Sequence, residues 1–316
     1  MNAIPASVAG VGRIVCVTPP TKDGTLDPAI IEACRISGVT EIYSVGGAQA
    51  IAALAYGTES IERVDKITGP GNAYVAAAKK VVSGDVGIDM IAGPSEVCVV
   101  ADETALPELV AIDLMAQAEH DPLASCYLVT FDEEYANAVE AAIEKHCEQS
   151  TRADITTTSL RDKGLIVICP DLASAMNTVN VIAPEHLELH LPDAFDLLGL
   201  VRHAGAIFLG EWTPEAVGDY VAGPNHTLPT GGTARFSSPL SVDEFVKKSS
   251  IIRYSPAALL NDADVVTAIA DHEGLWSHAQ SVRLRKQLLT QGYISEDAGK
   301  TAGKDAGKDA ANDAGK

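Results

Sequence analysis

Short runs rich in apolar and β-branched residues alternate with helical patterns through the first two thirds of the sequence. The strand-like runs cover residues 13–17, 41–45, 96–101, 125–131 and 165–169, and the helical patterns cover residues 28–36, 48–56, 72–82, 106–118 and 133–147. This alternation is typical of βαβ units. It predicts an α/β fold whose largely parallel sheet is covered by helices on both faces.

The pattern changes after residue 204. AGAIFLG still predicts a strand, but residues 223–240 are rich in Gly, Pro, Asn and Thr, and a loop of that length inside a domain is usually functional. A helical segment follows at 263–290, and DAGK recurs near the end. We expect two Rossmann-like parallel-sheet units, residues 1–100 and 101–240, then a C-terminal helical extension at 241–295 and a disordered low-complexity tail at 296–316.

The charge balance excludes two classes of partner. The chain of 316 residues has 43 acidic and 23 basic residues, a net charge of -20. Phosphate backbones and anionic membrane surfaces repel such a chain, so we expect neither nucleic acid nor membrane as a partner. There is no long apolar run or secretory signal. The six cysteines form no C-x-x-C pair and are typical of a reducing compartment, so we expect a cytoplasmic protein.

Two short motifs combine imidazole with an amide or a carboxylate. Gln117 and His120 share a helix face, and His is a common zinc ligand whereas Gln is an unusual one. The pair is equally typical of a helix end with an exposed His near the dipole. The second motif is Glu185-His186, in which both side chains are candidates for general acid/base catalysis. It is also typical of an ion-paired turn before the strand LELHL.

Two further stretches carry possible ligands. Asp219 could offer an oxygen to a metal and His226 could contact a substrate, although Asp, Gly, Pro and Asn are ordinary turn residues in this stretch. HEGLWSH places an acid and two imidazoles, among them Glu273 and His278, close together. Taken alone, that segment is also consistent with a solvated helix start.

Two glycine-containing turns bear on whether the chain binds a dinucleotide or acts as a serine hydrolase. GPGN, which ends at Asn72, opens a helix and suits a ligand that approaches the backbone, but no G-x-G-x-x-G fingerprint occurs. Ser95 lies in the turn AGPSE without a G-x-S-x-G elbow, which excludes a serine hydrolase of that type. Because ligand sites of open α/β sheets lie at the carboxyl ends of strands, we expect the polar turns to meet there. The residues alone predict an α/β enzyme with a possible zinc site.

The motifs together resemble the histidinol dehydrogenase family. The resemblance runs from about residue 4 to 286, in the family's order, through the stretches IPASVAGVGRIVCVTPP, VGGAQAIAALAYGTESIERVDKITGPGNAYVAAAKK, IDMIAGPSEV, DLMAQAEHDP, APEHLEL, GAIFLGEWTPEAVGDYVAGPNHTLPT, GGTARFSSPLSV and HEGLWSHAQSVRLR. It implies a homodimeric oxidoreductase of histidine biosynthesis. Such an enzyme oxidises L-histidinol to L-histidine through an aldehyde and reduces two molecules of NAD.

The resemblance also implies a role for each matched residue. One zinc ion per site would be held by Gln117, His120, Asp219 and His278. Glu185 and His186 would be the catalytic pair, with His186 accepting the alcohol proton and Glu185 activating water. The implied substrate contacts are Ser95, Gln117, His120, His186, Asp219, His226, Glu273 and His278, and the implied NAD contacts are Gln49 and Asn72.

The sequence differs from the family at its N-terminal end. Family members carry a substantial region before the point that aligns with Ile4, including a Tyr that contacts NAD. We therefore expect the first α/β unit to be incomplete on its N-terminal side, and the segment at 241–295 to serve dimerisation and to reach the partner's site. An alternative is a fragment that binds zinc and substrate but lacks part of the NAD site. A zinc hydrolase built on the same ligands is a third possibility.

Overall fold

Strands and helices alternate along the chain as the sequence predicts. In the computed structural model, which describes residues 1–91 and 93–292, the strands are β1 (Val15–Thr18), β2 (Glu41–Ser44), β3 (Lys66–Ile67), β4 (Gly87–Ile88), β5 (Glu96–Ala101), β6 (Ser125–Thr130), β7 (Gly164–Ile168), β8 (His186–His190) and β9 (Ala206–Leu209). The α-helices are α1 (Ala3–Val8), α2 (Pro28–Ile36), α3 (Gly47–Tyr56), α4 (Ala73–Val82), α5 (Pro107–Ala118), α6 (Glu133–Cys147), α7 (Ala153–Lys163), α8 (Leu172–Ile182), α9 (Glu215–Tyr220), α10 (Pro256–His272) and α11 (Trp276–Thr290).

All strand pairs in these elements are parallel. Five strands form one sheet in the order β7-β6-β5-β8-β9, and two smaller sheets pair β1 with β2 and β3 with β4. The chain leaves β5 in one direction through β6 and β7, then returns to place β8 on the other side of β5. The predicted α/β fold with parallel sheets is confirmed.

Alternate residues of β5 enter two separate cores, which explains why both faces of the large sheet carry helices. Val97 and Val99 pack with residues of α5 and α6, whereas Cys98 and Val100 pack with residues of α8. A strand buried on both faces loses the polar alternation of a surface strand and becomes a continuous apolar run. EVCVVA in β5 is such a run, and its last five residues are buried.

Contacts divide the chain into two compact units, residues 1–247 and 248–316. In the described part of the second unit, α10 packs against α11. The single helical segment predicted at 263–290 is therefore wrong, because Gly274 adopts a φ of +71° and separates two helices. The domain boundaries predicted at residues 100 and 240 stay predictions.

Three sequence expectations concern features beyond the sheets. Within the described residues, no helix combines the length and apolar character needed to cross a bilayer. All six cysteines are unpaired thiols, as predicted. The tail predicted at 296–316 lies outside the described residues.

Candidate functional site

Most of the predicted site residues of the first unit meet at the amino ends of β5 and β8. Ser95 immediately precedes β5, and Glu185 immediately precedes β8. The helix that follows a parallel strand runs back toward the start of the sheet, so Gln117 and His120, at the end of α5, return to this edge. The expected location at the carboxyl ends of these strands is therefore wrong, because the reactive residues precede the strands or lie at the ends of returning helices.

The backbone of Glu96 binds both members of the predicted acid/base pair. Its N–H donates to Oε2 of Glu185 at 3.0 Å, and its carbonyl oxygen lies 3.1 Å from Nδ1 of His186. Parallel pairing of β5 with β8 sets these contacts, because Val97 is in register with His186. The two side chains are thus fixed by the sheet.

His186 is suited to remain neutral and to accept a proton. It is 4% exposed, and burial lowers its pKa because the charged imidazolium loses hydration. When Nδ1–H donates to the Glu96 carbonyl, the lone pair lies on Nε2. That atom is buried and has no hydrogen-bond partner among the described residues. An unpartnered basic nitrogen is what a general base needs.

Glu185 is a carboxyl group whose environment favours its protonated form. It is 6% exposed, and burial raises its pKa to about 8. The hydrogen bond from the Glu96 backbone opposes that rise, and the neighbouring Ser95 side chain opposes it as well. The role of Ser95 as a substrate contact stays a prediction.

A second group of side chains offers donors for a metal ion. His120, Glu215 and Asp219 present ligand atoms that all lie within 4.8 Å of one another. Glu215 and Asp219 are one turn apart in α9, whereas His120 lies two residues beyond the end of α5. Helix α9 and the loop after α5 thus converge on one centre.

Gln117 adjoins this group through Glu215. In the amide orientation that suits its neighbours, the Gln117 nitrogen lies 3.0 and 3.1 Å from the carboxylate oxygens of Glu215 and 3.0 Å from Nδ1 of His186. It donates to the carboxylate in the His186 tautomer whose Nδ1–H donates to the Glu96 carbonyl. Gln117 is fully buried and Glu215 is 3% exposed. The sequence reasoning missed Glu215, because one acidic residue in EWTPEAVGD carries no spacing signal that distinguishes it from Glu211.

The electrostatics of the cluster favour a bound cation. Burial, together with the nearby charges of Asp219 and Glu188, raises the pKa of Glu215 to about 9. Among the described residues, no Lys or Arg forms an ion pair with Glu185, Glu188, Glu215 or Asp219. The donors are imidazole nitrogen and carboxylate oxygen, which zinc commonly binds, and an amide, which is an unusual zinc ligand. The residues present therefore fit the implied metal.

Glu188 is a further residue that the sequence analysis missed. It is fully buried, it accepts a hydrogen bond from the Glu215 backbone at 3.0 Å, and its other oxygen lies 3.2 Å from Nε2 of His190. Asp113 of α5 lies 3.6 Å from the same nitrogen. Burial, together with the charge of Glu188, raises the pKa of Asp113 to about 7. Asp113, Glu188 and His190 thus form an acidic network, which contacts the first residue of α9 through Glu188.

The long loop predicted to be functional brings one more imidazole to the site. His226 is partly buried, and burial lowers its pKa. The negative charge of the neighbouring Asp219 opposes this change. Residues 227–230 of the same loop are buried. The loop is thus packed against the unit rather than extended into solvent.

The two residues implied as NAD contacts lie at the starts of helices. Gln49 is in the first turn of α3, just after β2, and Asn72 caps α4. The side-chain Oδ1 of Asn72 accepts from the backbone N–H groups of Tyr74 and Val75, both at 3.1 Å. Both residues are exposed, and they follow the carboxyl ends of their strands.

The last two implied site residues belong to the second unit. Glu273 is the residue after α10, and His278 lies in the first turn of α11. Both are exposed. That they complete a site with the first unit stays a prediction.

Comparisons with known proteins agree on one family. The family profile for histidinol dehydrogenase matches residues 1–286. The histidinol dehydrogenase of Bacillus subtilis (strain 168) is 57% identical over 291 residues, which cover 92% of this chain and 68% of the relative. The histidinol dehydrogenase of a Synechococcus species is 56% identical over 289 residues, which cover 92% of this chain and 67% of the relative.

A solved structure agrees with these relatives. The crystal structure of histidinol dehydrogenase from Elizabethkingia anophelis aligns with a TM-score of 0.86 at 39% identity, and the alignment covers 92% of this chain and 67% of that one. The chain thus spans about two thirds of the length of the relatives it matches.

Proposed function

The chain belongs to the histidinol dehydrogenase family of oxidoreductases, and on that premise we propose that it oxidises L-histidinol to L-histidine through the aldehyde in a zinc- and NAD-dependent reaction. The observation that supports this most strongly is the contact of Glu185 and His186 with one backbone residue, Glu96, at the edge where the metal-type donors gather. A base and a water-activating carboxyl side by side match the two chemical steps of such an oxidation.

In the first step, the alcohol loses a proton from oxygen and a hydride from carbon. His186 accepts the proton on Nε2, because Nδ1 is held against the Glu96 carbonyl. Burial keeps the ring neutral and ready to act. NAD, when bound, supplies the hydride acceptor.

In the second step, water adds to the aldehyde, and the hydrate loses a hydride to a second NAD and two protons to base and solvent, which gives the carboxylate. Glu185 in its ionised form accepts a proton from the attacking water. Its raised pKa makes it a stronger base than an ordinary carboxylate. Ser95 lies beside Glu185 and can orient the water or the substrate.

Gln117, His120 and Asp219 are the zinc ligands that this unit would provide. Zinc, when bound, would orient the substrate so that its reacting carbon faces the hydride acceptor. Glu215 accepts from the Gln117 amide, and partners of this kind fix the orientation of a ligand. His226, close to Asp219, is positioned to contact the substrate.

Zinc affinity tests this ligand set independently of turnover. We expect His120→Ala and Asp219→Asn to weaken zinc binding at least tenfold in a competition titration against a chromogenic chelator. His146→Ala is the matched control, because that histidine of α6 pairs with Glu108 and not with the cluster. Zinc bound equally by all four proteins would argue against the ligand set.

We also propose a homodimer in which Glu273 and His278 complete the partner's site. Mixing and reannealing inactive His120→Ala and His278→Ala chains tests the exchange. A hybrid dimer would contain one intact site, so activity should return to about a quarter of the wild-type value in a statistical mixture. A mixture that stays inactive would indicate that each chain uses its own His278.

A further inference from the structure

Two buried charges hold the residue that opens the Gly69–Asn72 turn. Lys79 of α4 and Asp89, just after β4, form an ion pair with side-chain exposures of 2% and 0%. Nζ of Lys79 also donates to the Gly69 carbonyl oxygen at 3.0 Å. Oδ2 of Asp89 accepts from the Gly69 N–H at 2.8 Å. Both backbone polar groups of Gly69 are thus bound by one ion pair.

The small parallel sheet places Asp89 next to Gly69. Ile67 of β3 is in register with Ile88 of β4, and the Asp89 N–H donates to the Ile67 carbonyl at 3.2 Å. Gly69 follows β3 by two residues, and Asp89 follows β4 directly. Lys79 reaches the same point from α4, so the ion pair joins the turn, the helix and the sheet.

The remainder of the turn is equally constrained. A Cβ atom at Gly71 would lie 2.5 Å from the Val75 side chain, so the close approach to α4 requires glycine. The side-chain Oδ1 of Asn72 caps α4, so the NH2 group of the same amide is available to a ligand. The direction of the Asn72 NH2 group therefore depends on the backbone conformation of the Gly69–Asn72 turn.

The burial of the ion pair favours a positioning role over a stabilising one. A buried pair gains little over well-packed apolar side chains, because desolvation of two charges offsets their attraction. What the pair provides is directional contact with both polar groups of Gly69, which apolar side chains cannot make. Lys80, the next residue of α4, is exposed and forms no ion pair among the described residues.

We propose that Lys79 and Asp89 are positioning residues for the dinucleotide, which fix the Gly69–Asn72 turn in the conformation that presents Asn72 to NAD. This rests on the proposed function, which assigns an NAD contact to Asn72. Both side chains are buried, so they would act on the cofactor through the turn.

The test measures NAD affinity by calorimetry on the full chain, in the wild type and in Lys79→Met, the double variant Lys79→Met/Asp89→Asn, and Lys80→Met. Thermal stability and zinc affinity are measured in parallel. We expect the dissociation constant for NAD to rise at least tenfold in both variants that lack Lys79, and to stay unchanged in Lys80→Met. Zinc affinity should be the same in all four proteins.

The double variant separates positioning from stability. Removing both charges leaves no unpaired buried carboxylate, so its melting temperature should recover relative to Lys79→Met, whereas NAD affinity should stay weak because the Gly69 carbonyl still lacks its donor. The inference would be overturned if the folded double variant bound NAD as tightly as the wild type does. A wild-type chain that binds no NAD would overturn the proposed function and this inference with it.

Discussion

Glu188 accepts a hydrogen bond from the backbone N–H of Glu215 at 3.0 Å. The carboxylate is fully buried in β8, and Glu215 is the first residue of α9. Because the first N–H groups of a helix have no partner within the helix, this contact fixes where α9 begins. Asp219 follows one turn later, so a residue of the central sheet sets the position of two acidic groups in the metal-type cluster.

Replacing Glu188 with Leu should weaken zinc binding about 10–100-fold, the range typical for loss of a residue that supports a metal ligand. The physical reason is the loss of the acceptor that anchors α9. Competition with a chromogenic chelator measures the affinity. Glu188→Gln is the matched control, because its amide oxygen can accept the same hydrogen bond and should preserve most of the affinity. Equal losses in both variants would contradict an anchoring role.

Replacing His186 with Asn should slow NADH formation from histidinol by about 10²–10⁴-fold, the usual contribution of a general base. Zinc affinity should change little, because the ring is not among the proposed ligands. Steady-state absorbance of NADH and a zinc titration give the two readouts. His203→Asn, in the loop before β9, is the control. Nearly normal turnover in the His186 variant would remove it from the first step.

Oxidation of the aldehyde should accelerate with rising pH and level off above about pH 8. The reason is that burial raises the pKa of Glu185 to about 8, and only the ionised carboxylate can accept a proton from water. At pH 6 the rate should be about a hundredfold below the plateau. Single-turnover experiments with the aldehyde between pH 6 and 9.5 measure this.

Glu185→Gln provides the control for that profile. The variant should lose the pH dependence and slow the aldehyde step more than the alcohol step. A profile with the same midpoint in the variant would assign the titration to another group.

The metal-free chain should become more stable at alkaline pH when Glu215 is replaced by Gln. Burial raises the pKa of Glu215 from 4.5 to about 9, so folding favours the protonated carboxyl. The stability contribution is fully present below pH 4.5 and is lost as the pH rises toward 9. Gln mimics the protonated form and avoids this loss.

Melting temperatures in the presence of chelator test this expectation. The variant should exceed the wild type by at least about 3 °C at pH 8, which corresponds to roughly 1 kcal/mol for a domain of this size, and should match it at pH 5. A constant difference between the two pH values would mean that Glu215 does not titrate in the folded chain.

The sequence predicts the elements whose packing follows simple periodicity. The pattern of EVCVVA predicts β5 at its observed bounds, and α2 and α6 also have their predicted limits. Local side-chain chemistry defines these ends: Asp27 and Asp132 each accept from a backbone N–H at the start of α2 and α6. Capping residues of this kind can be recognised from the local sequence, so predicting these helix starts requires no tertiary information.

The missed residues depend on strand order, which the sequence does not reveal. The alternation in LELHL is typical of a strand with one solvated face, yet β8 lies between β5 and β9 and is buried along its whole length. Glu188 and His190 therefore become an internal acidic network. The sequence analysis missed Glu215 for a similar reason, because only the tertiary fold brings α9 close to α5.

The family resemblance supplied what periodicity could not. It named Gln117, His120 and Asp219 together although they are far apart in sequence, and two of them, His120 and Asp219, present ligand atoms within 4.8 Å of each other. Gln117 joins them through Glu215. The roles of these residues in metal binding stay predictions.

The most direct test of the account is NADH formation by the purified chain from L-histidinol and NAD with added zinc, followed by absorbance and repeated after chelation. The account predicts turnover that chelation abolishes and zinc restores, with two molecules of NADH formed for each histidinol consumed. A chain that binds zinc stoichiometrically and forms no NADH would contradict the proposed activity.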